Sequence, residues 1–131
     1  MNIISPTGLG IRNDSMGFGY YGAPRGSRMH KGTDFLCIPG QDVVCPIPSG
    51  KIIREARPYI YERYSGCLIQ GHKIAIKMFY LDIWAHLIGK TIKQGEVIGI
   101  AQDISKKYGT DMKPHIHLSI VGLDPQTLMK K

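Results

Sequence analysis

A mostly β domain, antiparallel and with little helix, is the fold class this sequence predicts, and three observations predict it. Short runs of β-favouring residues recur along the chain, separated by Gly, Pro and Ser turn signals. In the clearest run, Ile74, Ile76, Met78 and Tyr80 alternate with Lys73, Ala75, Lys77 and Phe79, the period of two that belongs to a sheet with one buried face. Only 104–108 and the last few residues leave room for a helical turn. The expected architecture is an antiparallel sheet domain whose loops surround one narrow groove.

The elements follow in order. Residues 1–28 are rich in Gly, Pro, Ser and Tyr, and the run Gly17-Phe18-Gly19-Tyr20-Tyr21-Gly22 tolerates almost any backbone direction, so an irregular lead-in is expected. Small strands are expected over 33–37, 42–45 and 51–54, divided by the turns Ile38-Pro39-Gly40-Gln41 and Pro46-Ile47-Pro48-Ser49-Gly50. Longer strands are expected over 67–70 and 73–81, a further one over 83–87, and the last over 95–101 and 115–121. Internal repeats and low-complexity tracts are absent from the sequence.

The chain's 131 residues suit one compact domain, and 43% hydrophobic with 21% charged residues is ordinary globular composition. No apolar run approaches the roughly 20 residues needed to span a bilayer, and the first ten residues lack the basic-then-apolar pattern of a secretory signal, so neither anchor nor signal peptide is expected. The net charge of +7 favours encounter with polyanions, an anionic wall or nucleic acid. Its carriers include Arg25, Arg28, Lys31, Lys51, Arg54, Lys90, Lys106 and Lys107, scattered without a basic helix or aromatic RNA-binding signature, so no specific nucleic-acid partner is expected. Cys37, Cys45 and Cys67 form an odd set with no CxxC pair, which points to reduced thiols, with a Cys37–Cys45 bridge as the alternative.

Four of the five histidines fall in patterns that metal hydrolysis needs; His72, beside Gly71 at a turn, is expected on the surface. His30-Lys31-Gly32-Thr33-Asp34 offers an imidazole and a carboxylate across a flexible glycine, where irregular chain enters a strand. In His115-Ile116-His117 the two imidazoles share one side of a sheet, because alternate strand residues point the same way. Two His and one Asp leave the fourth tetrahedral position of zinc for water, as a catalytic site requires. His30, Asp34 and one of His115 or His117 complete such a shell. The other histidine and His86 then remain to exchange protons with that water and the leaving amine. A 2-His-1-carboxylate iron site would use similar ligands, but its His-x-Asp spacing is missing and it has no need of two extra imidazoles.

These residues resemble the lysostaphin/LytM-type zinc metallopeptidases, a family with a duplicated-hybrid-motif-like β fold. Met29-His30-Lys31-Gly32-Thr33-Asp34-Phe35 resembles its H-x-G-x-D segment, Trp84-Ala85-His86-Leu87 its A-H-L strand, and Pro114-His115-Ile116-His117-Leu118 its P-H-x-H segment. The likeness runs from about residue 16 to 121, with three motifs in the correct order. It implies one Zn²⁺ per chain held by His30, Asp34 and His117, with His86 and His115 as the catalytic pair. It also implies a single peptidase domain over 1–131, with 1–28 as lead-in and 29–121 as the zinc-binding β core. The implied activity is endopeptidase cleavage of bacterial peptidoglycan stems or cross-bridges; independently of the resemblance, a monomer without membrane contact is expected. Its place of action is the cell wall, reached from outside the cell, from the periplasm or by phage delivery. Where several members place a Tyr six residues before the first ligand, this sequence has Pro24, and 58–65 replaces a short glycine turn with an aromatic, basic insert. A second resemblance, carried by 30–37 and Lys77-Met78-Phe79-Tyr80, is to the leukocyte cell-derived chemotaxin type, secreted vertebrate relatives that keep the zinc fold as a binding or signalling module. That type lacks a counterpart of His86, whose presence here favours catalysis.

Overall fold

The computed structural model describes residues 3–14, 17–18, 24–25, 28–29, 32–72 and 74–120. His30, Tyr20, Tyr21, Lys73 and the expected C-terminal turn lie outside the described residues. Two pairs of two-residue strands come first, β1 (Asn13–Asp14) with β2 (Gly17–Phe18) and β3 (Pro24–Arg25) with β4 (Arg28–Met29). Then follow β5 (Thr33–Leu36), β6 (Asp42–Val44), β7 (Ser49–Glu55), β8 (Gly66–Gly71), β9 (Ala75–Phe79) and β10 (Leu81–Ile83). A 3-10 turn over Ala85–Leu87 leads to β11 (Thr91–Lys93), β12 (Val97–Ala101), the one-turn helix α1 (Ser105–Tyr108) and β13 (His115–Ile120).

A six-stranded sheet in the order β11-β7-β8-β9-β13-β5 and a three-stranded sheet in the order β10-β12-β6 make up the body, every pairing antiparallel. The expected alternation is present: Ile76 and Met78 are fully buried while Ala75, Lys77 and Phe79 face the other side. The same rule in β13 sends Ile116, Leu118 and Ile120 inward and leaves His115, His117 and Ser119 on the opposite face. Inward residues of the large sheet meet Val43, Leu81, Ile98 and Ala101 of the small one in one continuous cluster. The hydrophobic driving force thus holds one face of β13 rigid and frees the other for chemistry.

Two expectations differ from the structure. The run 73–81 does not continue as one strand, because Tyr80 adopts φ 77°, a left-handed conformation rare outside glycine, and breaks it into β9 and β10 of different sheets. Its amide donates to the Ser65 carbonyl at 2.7 Å, which anchors the bend. The expected strand over 83–87 ends at Ile83, and the Ala85-His86-Leu87 segment forms the 3-10 turn, closed by Leu87 N–H on the Trp84 carbonyl at 2.9 Å. Among the described residues no strand pairs with 85–87, and a local turn satisfies its backbone groups.

Part of the irregular lead-in is structural. Ile3 is buried in the main cluster, and residues 10–12 run along the outer edge of β5. The insert 58–65 packs against the loop around α1: Tyr64, Ile104 and Met112 form a second small core, with Tyr59 and Tyr80 against it.

Candidate metal centre

Asp34 and His117 are brought together by register, since His117 in β13 pairs directly with Asp34 in β5 on one side and with Phe79 in β9 on the other. Directly opposed residues share a face at about 5 Å between Cβ atoms, so the three side chains form a row. Asp34 Oδ1 lies 2.8 Å from His117 Nδ1. Phe79 stacks on the His117 ring, with centroids 6.0 Å apart and planes 15° from parallel. Gly32 abuts the far edge of the same ring. A Cβ there would stand 2.7 Å from both His117 Cε1 and Nε2 and 2.6 Å from the Leu118 carbonyl oxygen. This glycine is present because nothing larger fits, a reason distinct from the flexibility read in the sequence.

His115 lies on the same face, almost wholly buried, with Nε2 3.5 Å from Asp34 Oδ2. Its Nδ1 is 2.8 Å from the Lys113 carbonyl, which only accepts hydrogen bonds, so Nδ1 carries the proton and Nε2 presents a lone pair toward the carboxylate. Burial pushes the His115 pKa below its ordinary value, against the opposing pull of Asp34 and the Lys113 carbonyl. Burial thus favours the uncharged form of the ring. Tyr80 meets it edge-on at 5.3 Å between centroids. Tyr80 Oη in turn lies 3.2 Å from Tyr59 Oη, and Tyr59 Oη 2.5 Å from Tyr108 Oη, so the bent residue links the centre to the 58–65 insert.

One residue that the sequence reading missed completes this group. Arg12 is 0% exposed, and its Nε donates to Asp34 Oδ2 at 3.2 Å. It falls within the lead-in and carries no motif, so its only sequence signal is a cation beside Ile11 in a segment otherwise read as irregular.

The chemistry of the donors suits zinc. A carboxylate oxygen and an imidazole nitrogen 2.8 Å apart need to open by only about half an ångström to flank an ion at the usual 2.0–2.1 Å, and both belong to zinc's preferred ligand set. Among the described residues, no three His, Cys, Asp or Glu side chains form a complete metal-holding group. Asp34 and His117 make a pair, and the expected third ligand, His30, lies outside the described residues.

His86 is exposed on its 3-10 turn, where its ring stacks on Trp84 at 5.8 Å and 22°. Among the described residues it makes no hydrogen bond or ion pair to Asp34, His115 or His117. His72 is exposed at the bend after β8, as expected. The three cysteines are free and buried, without the alternative Cys37–Cys45 bridge, and burial pushes the Cys37 and Cys67 thiols up to about 12. No described helix is long and apolar enough to cross a membrane.

Comparison with known proteins agrees with this fold. The chain is 33% identical over 117 residues to leukocyte cell-derived chemotaxin-2 of Bos taurus, covering 88% of this chain and 75% of the relative. It superposes on the antimicrobial peptidase lysostaphin from Staphylococcus simulans with a TM-score of 0.68 at 23% identity, and covers 55% of that longer chain. Against the isolated catalytic domain of lysostaphin the TM-score is 0.59 at 25% identity, with 88% of this chain and 91% of that one covered. A putative M23 peptidase from Pseudomonas aeruginosa gives a TM-score of 0.65 at 19% identity, with half of that chain covered. The chain thus spans about half the length of the full peptidases it matches in fold. No family model matches the sequence.

Proposed function

Because the chain belongs to the lysostaphin-type M23 peptidase family, which also includes chemotaxin-2, we propose that it is a zinc-dependent endopeptidase acting on peptidoglycan peptides at the bacterial cell wall. The observation that carries this reading is the convergence of Asp34 Oδ1 and His117 Nδ1 at 2.8 Å with the His115 ring beside them. In this reading His30, Asp34 and His117 hold one zinc ion. When bound, the ion supplies a Lewis acid for a peptide carbonyl and an acidified water.

The chain's own residues do the rest. His115 Nε2, free of its proton because Nδ1 is committed to Lys113, accepts a proton from the attacking water and returns it to the departing amine. His86, exposed on a short turn, supplies a second imidazole to steady the oxyanion or relay the proton once substrate is bound. Phe79 stacked on one face and Gly32 at the Cε1–Nε2 edge hold the His117 ring so that its Nδ1 stays aimed at Asp34. The net charge of +7 aids encounter with an anionic wall.

A second reading is a zinc-stabilised binding or signalling module with weak or no catalysis. It is favoured by the 33% identity to chemotaxin-2. Digestion of purified sacculi of several wall chemotypes by the zinc-loaded protein, followed by fragment mass measurement, tests the peptidase and names the bond. Failure to release new amino termini from any of them between about pH 6 and 9, where imidazole bases operate, would leave the module as the better account.

A further inference from the structure

We propose that Arg12 is a positioning residue of the metal centre: it holds Asp34 Oδ2 and leaves Oδ1, beside His117 Nδ1, as the oxygen that Asp34 would offer to a metal. The inference rests on the zinc reading above and concerns a residue that belongs to none of the three family motifs.

Backbone pairing places Arg12 without freedom to wander. Leu36 N–H donates to the Gly10 carbonyl at 2.7 Å, Ile11 bridges Phe35 antiparallel, and Arg12 N–H donates to the Asp34 carbonyl at 2.7 Å. The segment is therefore an added edge alongside β5, with Arg12 next to Asp34 in the row that continues through His117 to Phe79. The guanidinium is fully buried, and burying a cation is costly unless a charged partner compensates it. A solvated basic surface, the ordinary fate of an arginine, would not use one in this way.

The geometry assigns the two carboxylate oxygens different tasks. Oδ2 accepts from Arg12 Nε at 3.2 Å, while Oδ1 faces His117 Nδ1 at 2.8 Å. A carboxylate held at one oxygen is disfavoured from chelating an ion through both, which would leave room in a tetrahedral zinc site for water. Two physical effects of Arg12 have opposite signs. Its charge repels a divalent cation, so charge alone predicts that removing it tightens zinc binding. Its hydrogen bond orients the ligand, so positioning predicts that removing it weakens binding, by about 10- to 100-fold where such supporting partners are lost.

The test uses the full chain and zinc affinity measured against a competing chelator, together with the visible spectrum of the Co²⁺-substituted protein, neither of which depends on catalysis. Arg12→Met is expected to bind zinc at least about tenfold more weakly. Its Co²⁺ bands are expected to lose intensity as coordination rises above four. Arg12→Lys, keeping charge and a donor, is expected to recover part of both. If Arg12→Met does not fold, Arg12→Leu, which likewise removes both the charge and the donor, takes its place under the same criteria. A folded variant with unchanged or tighter zinc affinity and an unaltered Co²⁺ spectrum overturns the positioning role while leaving the metal centre standing. A wild-type chain that takes up no zinc overturns both.

Discussion

Gly32→Ala is the smallest change that tests the geometry of the centre. The added methyl would sit 2.7 Å from His117 Cε1 and Nε2, about 0.7 Å inside the 3.4 Å at which ordinary contact begins, and 2.6 Å from the Leu118 carbonyl oxygen. The carbonyl belongs to β13 backbone, paired on both sides, and cannot yield. The imidazole is backed by Phe79. Either β5 separates from β13 or the ring tilts away from Asp34. Overpacking of this kind costs about 1–3 kcal/mol. For a chain of this size that lowers Tm by about 4–12 °C. A displacement of about 0.7 Å also exceeds the ±0.2 Å tolerance of a metal site, so zinc affinity should fall together with stability. Thermal unfolding of the metal-free protein and chelator competition on the folded protein read the two effects separately. A Gly32→Ala protein with wild-type Tm and wild-type zinc affinity would refute the argument that this glycine exists to admit the His117 ring.

His86→Ala should leave zinc binding and Tm within error of wild type, because the ring is exposed and stacks on the partly exposed Trp84, while abolishing release of amino termini from sacculi; unchanged cleavage would remove His86 from the mechanism. The Cys37 and Cys67 thiols, pushed by burial from 9.0 up to about 12, hold about a thousandfold less thiolate at mildly alkaline pH than an unperturbed thiol, so iodoacetamide should label them far more slowly in the native than in the unfolded protein. Equal native and denatured labelling rates, followed by mass spectrometry, would contradict their burial.

Much of the fold was legible because its signals are local. The alternation around Ile76 and Met78 and the turn residues before Asp42 and Lys51 are read within a few positions, and each has its counterpart in β9, β6 and β7, although β7 already begins at Ser49, inside the expected turn. The break at Tyr80 was not legible, since no sequence rule assigns φ 77° to a tyrosine; the Ser65 carbonyl and the 58–65 insert hold it there from outside the segment. The same is true of His86, whose segment reads as a strand but, among the described residues, pairs with none and closes on itself as a 3-10 turn.

The sequence by itself determined which donor types the chain possesses and which of them share a strand face, because a period of two sends His115 and His117 the same way whatever else the chain does. It did not determine their company. That Asp34 stands between Arg12 and His117, that Phe79 covers one side of the ring and Gly32 an edge, and that His115 turns its proton toward Lys113 were decided only when β5, β9, β13 and the lead-in aligned in one register. The physical reason is that register is fixed by burying the opposite face: once Phe35, Met78, Ile116 and Leu118 enter the core, residues from four distant parts of the chain have no choice but to meet.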